Sequence, residues 1–145
     1  MKNLAAVLIL LLMAGTILAE QGENIENNFS INGRAVVFFG PSWAEYVALS
    51  DQDKDAINEE LYDFAHNRSE VRPYLEANGI KETFTSSENI QIQTDSGEVI
   101  TYLRSELNHL FGLIMTDGQS QPKVFLGAAS PAELKSMFEA YFGLQ

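Results

Sequence analysis

The last third of the chain carries the pattern against which the rest of the chain can be arranged to pack. Residues 111–115 form a short apolar run, and the Asp117-Gly118 pair that follows is suited to a turn with positive φ. A second apolar run covers residues 123–126 and ends at Gly127. Because the two runs are so close together, they predict an antiparallel hairpin with a widened loop.

A strongly signalled helix follows this hairpin. Ser130 is suited to accepting a hydrogen bond from an unpaired amide, Pro131 fits the first helical position, and Glu133 completes a capping box. Apolar residues then recur at i, i+4, i+7 and i+8, which is one stripe of an amphipathic helix. These residues are Leu134, Phe138, Tyr141 and Phe142. The sequence therefore predicts a closing unit of strand, turn, strand and capped helix.

A buried strand is predicted near the start of the globular part. Residues 34–39 are a continuous run of strand-forming residues between Gly33 and Gly40-Pro41. A run without polar alternation is typical of a strand that is covered on both faces. We therefore expect this strand to be central in its sheet, and residues 43–49 after it to form a short helix or a packed loop.

The middle of the chain predicts one long helical segment. Ser50 and Asp53 form a second capping box, and Asn78-Gly79 is a typical helix ending. Because Pro73 lies inside this segment, we expect a break or kink over residues 67–72. The apolar stripe comprises Ile57, Leu61, Phe64 and Ala65.

Three further strands are predicted after this helix. They cover residues 82–86, 90–94 and 98–103, and the last two form an extra hairpin. Residues 104–110 are ambiguous between a helical turn and a loop. The order of elements predicts an α/β fold, in which a mixed sheet carries helices on its faces.

The closing unit resembles the C-terminal third of thioredoxin-like proteins. The matching residues are Leu113–Met115, Asp117-Gly118, Val124–Gly127, Leu134 and Phe138. The strand over 34–39 with Gly40-Pro41-Ser42-Trp43 is also similar to the first strand and active-site turn of that family. However, this chain has no cysteine pair there, and it has no proline before the strand that opens the closing hairpin. The resemblance implies a thioredoxin-like mixed sheet with an extra central β-hairpin, but no redox activity.

The first residues have the pattern of a signal peptide. Lys2 precedes an apolar stretch, and small residues lead up to Ala19. The stretch is shorter than the roughly 20 residues that span a bilayer, so we predict cleavage after Ala19 rather than an uncleaved anchor. The predicted organisation is a signal peptide over 1–19, a flexible polar lead-in over 20–33 and one domain over 34–145.

The amino-acid composition limits the cellular compartments and the classes of partner that are compatible with this chain. The net charge is −11, which disfavours nucleic acid and anionic membrane surfaces as partners. The chain has no cysteine, which excludes disulfides, thiol catalysis and thiolate metal sites. An exported domain without disulfides favours a bacterial protein, either periplasmic or secreted.

One motif allows a catalytic alternative. Gly40-Pro41-Ser42-Trp43-Ala44 imitates the nucleophile elbow of serine hydrolases, with alanine at the last glycine position. A small serine hydrolase would need Ser42 activated by a histidine, either His66 or His109. The preferred interpretation is a strand-to-helix turn in which Ser42 caps the helix.

The sequence predicts neither a metal site nor a cofactor. Asp51, Asp53 and Asp55 resemble the start of a calcium loop, but Ala56 and Tyr62 occupy the positions that need glycine and glutamate. His66 and His109 are far apart and lack the spacing of a zinc helix.

We therefore predict a non-catalytic binding or accessory module of the cell envelope, with a protein or peptide partner. Ligands of open α/β sheets gather beyond the carboxyl ends of the strands. This places the candidate binding surface at Gly40, Pro41, Ser42, Trp43 and Tyr46. A structural envelope protein without a small ligand is the remaining alternative.

Overall fold

The computed structural model describes residues 28–145. The predicted signal peptide over 1–19 and residues 20–27 of the predicted lead-in lie outside this range. The elements are β1 (Asn28–Asn32), β2 (Ala35–Phe39), α1 (Trp43–Ala48), α2 (Asp51–Ala77), β3 (Lys81–Thr85), β4 (Asn89–Gln93), β5 (Val99–Leu103), a 3-10 turn (Arg104–Glu106), β6 (Gly112–Thr116), β7 (Lys123–Leu126) and α3 (Pro131–Phe142).

The strands of the described residues form two mixed sheets. The main sheet has the order β3-β2-β6-β7, in which β2 is parallel to β3 and antiparallel to β6, and β6 is antiparallel to β7. The second sheet has the order β1-β4-β5, in which β1 is parallel and β5 is antiparallel to β4. The predicted α/β class is therefore confirmed.

Strand β2 separates the two parts of the hydrophobic core. All five of its residues are buried, and its position between β3 and β6 confirms the predicted central strand. Val36 and Phe38 pack with the helices, whereas Val37 and Phe39 pack with the second sheet. The helices thus cover one face of the main sheet, and the β1-β4-β5 sheet covers the other. The expectation of helices on both faces, with the extra hairpin inside a single sheet, was wrong.

Strand β1 corrects the predicted lead-in. Residues 20–33 lack an obvious pattern, yet Asn28–Asn32 forms a strand that pairs with β4. Phe29 and Ile31 pack on the cluster that contains Ile90 and Ile92 of β4, while the alternate polar residues of β1 are exposed. The backbone pairing with β4 and these two apolar side chains together hold the strand in place.

Helix α2 runs without interruption from Asp51 to Ala77, so the break predicted over 67–72 does not occur. Pro73 lies inside the helix, where it removes one backbone hydrogen bond. Val71 and Leu75 are fully buried on either side of it. Arg68 and Arg72 also both bind the carboxylate of Glu82 on β3. These tertiary contacts oppose the local effect of the proline.

The closing unit forms as predicted. Ser130 caps α3 with the complete capping box to Glu133, and Leu134 and Phe138 are 3% and 0% exposed. Within the hairpin, Gly112 lies so close to β7 that a Cβ atom there would come within 2.3 Å of the Phe125 carbonyl oxygen. No helix among residues 28–145 has the length and apolar character needed to cross a membrane.

Candidate functional site

An open groove of about 590 Å³ lies beyond the carboxyl ends of β2 and β3. Its walls come from α1 after β2, from the segment after β3, and from the connection between β5 and β6. The lining residues are Glu45, Ser86, Glu88, Arg104, Ser105, Asn108, His109 and Leu110. The groove is therefore predominantly polar and contains both carboxylates and a guanidinium group.

Arg104 joins three of these segments. Its guanidinium donates two hydrogen bonds to the Glu45 carboxylate, at 2.9 and 2.5 Å, and its Nε donates to the Ser87 carbonyl at 3.3 Å. The Arg104 side chain is only 9% exposed, whereas that of Glu45 is 44% exposed. A planar guanidinium is well suited to this paired geometry. Arg104 consequently holds α1 against the loop between β3 and β4.

Glu88 supplies a negative charge to the groove. The Ser105 hydroxyl and backbone amide both donate to Glu88 Oε1, the amide at 3.2 Å. The hydrogen bond from the Ser105 hydroxyl is the main cause that lowers the pKa of Glu88. Because hydrogen bonds to the ionised form stabilise it, Glu88 is a carboxylate at neutral pH.

The five residues of the predicted binding surface lie at the turn from β2 into α1. Gly40, Pro41 and Tyr46 are buried, and only Ser42 and Trp43 are partly exposed. The Trp43 ring stacks on Tyr46 at 5.8 Å between ring centroids. The Tyr46 hydroxyl donates to Asn58 Oδ1 at 2.5 Å, and burial raises the pKa of Tyr46. Gly40, Pro41 and Tyr46 therefore lie in the interior of the turn. Only Ser42 and Trp43 expose side-chain atoms that a partner could contact.

Ser42 acts as the N-cap of α1. Its Oγ accepts a hydrogen bond from the Glu45 amide at 3.1 Å. His66 pairs with Glu70 at 2.8 Å, and Nδ1 of His109 accepts from the Phe111 amide at 3.4 Å. Within residues 28–145, neither histidine hydrogen-bonds Ser42, so the pair that a serine nucleophile needs is not assembled.

The acidic residues at the start of α2 form part of a helix cap. Ser50 accepts from the Asp53 amide at 3.1 Å, and Asp51 and Asp53 occupy the first turn, where the helix dipole favours negative charge. In the described part of the chain, no three histidine or acidic side chains are grouped so that they could hold a metal ion.

Most of the groove was not found by sequence reasoning. None of the five residues named for the predicted surface lines the groove; the turn after β2 contributes only their neighbour Glu45, and Ser86, Arg104 and Asn108 come from the segments after β3 and β5. The position of Ser86 in the chain could have indicated its role. It directly follows β3, which is parallel to β2, and parallel strands end at the same edge of a sheet. No local sequence pattern could have predicted the role of Arg104, because its partner Glu45 is 59 positions away.

No family model, curated protein or solved structure matches this chain. Function is therefore inferred from the fold and from the groove.

Proposed function

We propose that this chain is an exported, non-redox thioredoxin-like protein that binds a protein or peptide partner in the groove beyond β2 and β3. Two features support the fold assignment. The main sheet has a parallel β2–β3 pair next to an antiparallel closing hairpin, and a capped helix follows that hairpin. The absence of cysteine leaves such a domain without the dithiol chemistry of its redox relatives.

The position of the groove carries the functional part of the proposal. Sites in open α/β sheets form beyond the carboxyl ends of parallel strands, which is where Glu45 and Ser86 lie. The groove offers fixed acceptors at Glu88 and exposed polar side chains at Ser105 and Asn108. Such groups suit the backbone and polar side chains of an extended peptide better than an apolar small molecule.

The charge of the groove favours partners with basic residues. Arg104 forms its salt bridge with Glu45. Glu88 forms no salt bridge among the described residues, although the nearby charge of Arg104 also helps to lower the pKa of Glu88. The net charge of −11 also attracts basic partners over longer distances. We therefore expect bound peptides to carry lysine or arginine.

Selection of displayed random peptides on the purified protein tests this function. The enriched peptides should be rich in basic residues, and Ser86→Trp, which fills the groove, should weaken their binding by about tenfold or more. Val99→Trp is the matched control because Val99 is an exposed residue on β5, outside the groove. If the peptides bind Ser86→Trp as tightly as Val99→Trp, the groove is not the binding site.

A further inference from the structure

Strand β7 has a free edge that can accept another strand. It is the last strand of the main sheet, and within residues 28–145 only β6 pairs with it. The Gly127 amide donates to the Phe111 carbonyl at 2.9 Å, which fixes the alternation of the ladder. Because bonded and non-bonded residues alternate in antiparallel pairs, Val124 and Leu126 direct their N–H and C=O groups outward.

Apolar groups flank this edge on both faces. Val124 and Leu126 are 36% and 40% exposed and lie on the face that Ile114 presents to the second sheet. On the helix face lies a cleft of about 520 Å³. Its apolar lining residues are Phe125, Ala128, Ala129, Ala132 and Met137, and its polar ones are Glu133 and Ser136. Exposed strand edges of this kind are a recognised route to association.

The distribution of charged residues around β7 favours a second copy of this chain as the partner that pairs with its free edge. Two copies of a chain with net charge −11 repel each other over most of their surface. Between Asp117 and Glu133, however, there is no acidic residue, and Lys123 is the one charged side chain. The carboxylate nearest to β7 in the cleft is that of Glu133, which already accepts a hydrogen bond from the Ser130 amide. The segment itself offers a basic partner no carboxylate, and a second copy meets little repulsion between carboxylates there.

The geometry of β7 is also self-complementary. If Phe125 lies opposite Phe125 of a second copy, then Val124 lies opposite Leu126 in both directions. All four outward N–H and C=O groups of each copy are then paired, and the two phenylalanines form a cross-strand pair on the helix face. A two-fold interface needs this kind of self-matching surface.

We propose that two copies of this chain pair antiparallel through β7, which joins their main sheets into one continuous sheet centred on Phe125. This interface involves the opposite edge of the sheet from β3 and is independent of the groove proposed above.

Sedimentation velocity of the purified protein, from micromolar to millimolar concentration, tests the dimer. The wild type should shift from the mass of one chain to that of two. Val124→Lys should raise the dissociation constant by about tenfold or more, because it places a charged side chain opposite the apolar Leu126 of the second copy. Val99→Lys is the control, since Val99 is 51% exposed on β5, the edge strand of the other sheet. A wild type that keeps the mass of one chain throughout overturns the proposal, as does an equal effect of the two substitutions.

A disulfide trap tests the register. The chain has no cysteine, so each introduced cysteine is unique. In the proposed register Phe125 forms a non-hydrogen-bonded pair with itself, in which the Cα atoms lie about 4.5 Å apart, within the range for a disulfide. Under mild oxidation, Phe125→Cys should form covalent dimers about tenfold faster than Val124→Cys, whose cysteine lies opposite Leu126. Equal rates would overturn the proposed pairing.

Discussion

Arg104 and Glu45 are joined by two side-chain hydrogen bonds, although 59 positions separate them in the chain. This pair connects the short helix after β2 to the turn after β5, and both residues line the groove. The shape of the groove therefore depends on one contact between distant segments.

Glu45→Ala should lower the free energy of unfolding by about 1 kcal/mol, because Glu45 is partly exposed and solvent weakens its attraction to Arg104. Arg104→Ala should lower the free energy of unfolding by more than Glu45→Ala does, because it also removes the hydrogen bond to the Ser87 carbonyl. Urea unfolding measures both changes. Glu106→Ala, which removes an exposed glutamate from the same 3-10 turn, is the control and should have little effect. Equal losses for Glu45→Ala and Glu106→Ala would contradict the structural role of the pair.

Phe138→Ala should reduce stability by about 3–5 kcal/mol, because the Phe138 side chain is fully buried between α3 and the main sheet. Ser136→Ala, at an exposed position of the same helix, should change stability by less than about 0.5 kcal/mol. Thermal or urea unfolding of both variants provides the measurement. A small effect of Phe138→Ala would mean that α3 does not pack as described.

Glu133 should make the start of α3 sensitive to acid. Hydrogen bonds from the Ser130 amide and hydroxyl lower the pKa of Glu133 below its ordinary value of 4.5. Because the pKa of Glu133 is lower in the folded state than in the unfolded state, the ionised side chain stabilises the fold at pH values above its unfolded-state pKa. This stabilisation is lost as the pH falls through the folded-state pKa. Stability of the wild type should therefore fall more steeply below pH 4.5 than that of Glu133→Gln, which keeps a hydrogen-bonding side chain but does not titrate. Parallel curves for the two proteins would exclude this effect.

Ser42→Ala should destabilise the protein by about 1 kcal/mol, since the Glu45 amide at the start of α1 loses its acceptor. A fluorophosphonate probe provides a separate readout, because it labels serines that are activated for catalysis. The wild type should remain unlabelled, as neither His66 nor His109 hydrogen-bonds Ser42. Labelling of the wild type that disappears in Ser42→Ala would instead support the hydrolase hypothesis.

Expression of residues 1–145 in a bacterium should yield a mature protein that begins at Glu20. The signal-peptide pattern over residues 1–19 motivates this prediction. Mass spectrometry of the periplasmic and culture fractions measures the mass of the mature chain. Retention of the intact chain in the membrane fraction would favour the uncleaved anchor.

Elements with local signals were predicted well from sequence. The cap at Ser130, the Asp117-Gly118 turn and the uninterrupted apolar run of β2 all act within a few residues, and each formed as expected. Helix α2 was interpreted less well because Pro73 is a local signal for a break, whereas the contacts that oppose it come from Glu82 on another element.

The second sheet and the groove could not be predicted in the same way. Strand β1 contributes only Phe29 and Ile31 to the core, and its partner β4 is distant in sequence. The groove likewise combines side chains from segments that only the completed sheets bring together. Contacts between segments that are distant in sequence produce no periodic pattern within either segment, so they cannot be predicted from local sequence.

The parallel pairing of β1 with β4 also affects the order in which the chain can fold. Asn28 and Asn89 hydrogen-bond across this pair at 2.7 Å, yet they are 61 positions apart. Closing so long a loop costs entropy that few contacts of β1 repay, and contacts between distant residues form slowly. Because β4 and β5 are neighbours in sequence whereas β1 is distant from both, we expect β1, although synthesised earlier, to join its sheet after β4 and β5 have paired. Until β1 is in place, the edge of β4 is unpaired, and unpaired strand edges of partly folded chains favour aggregation.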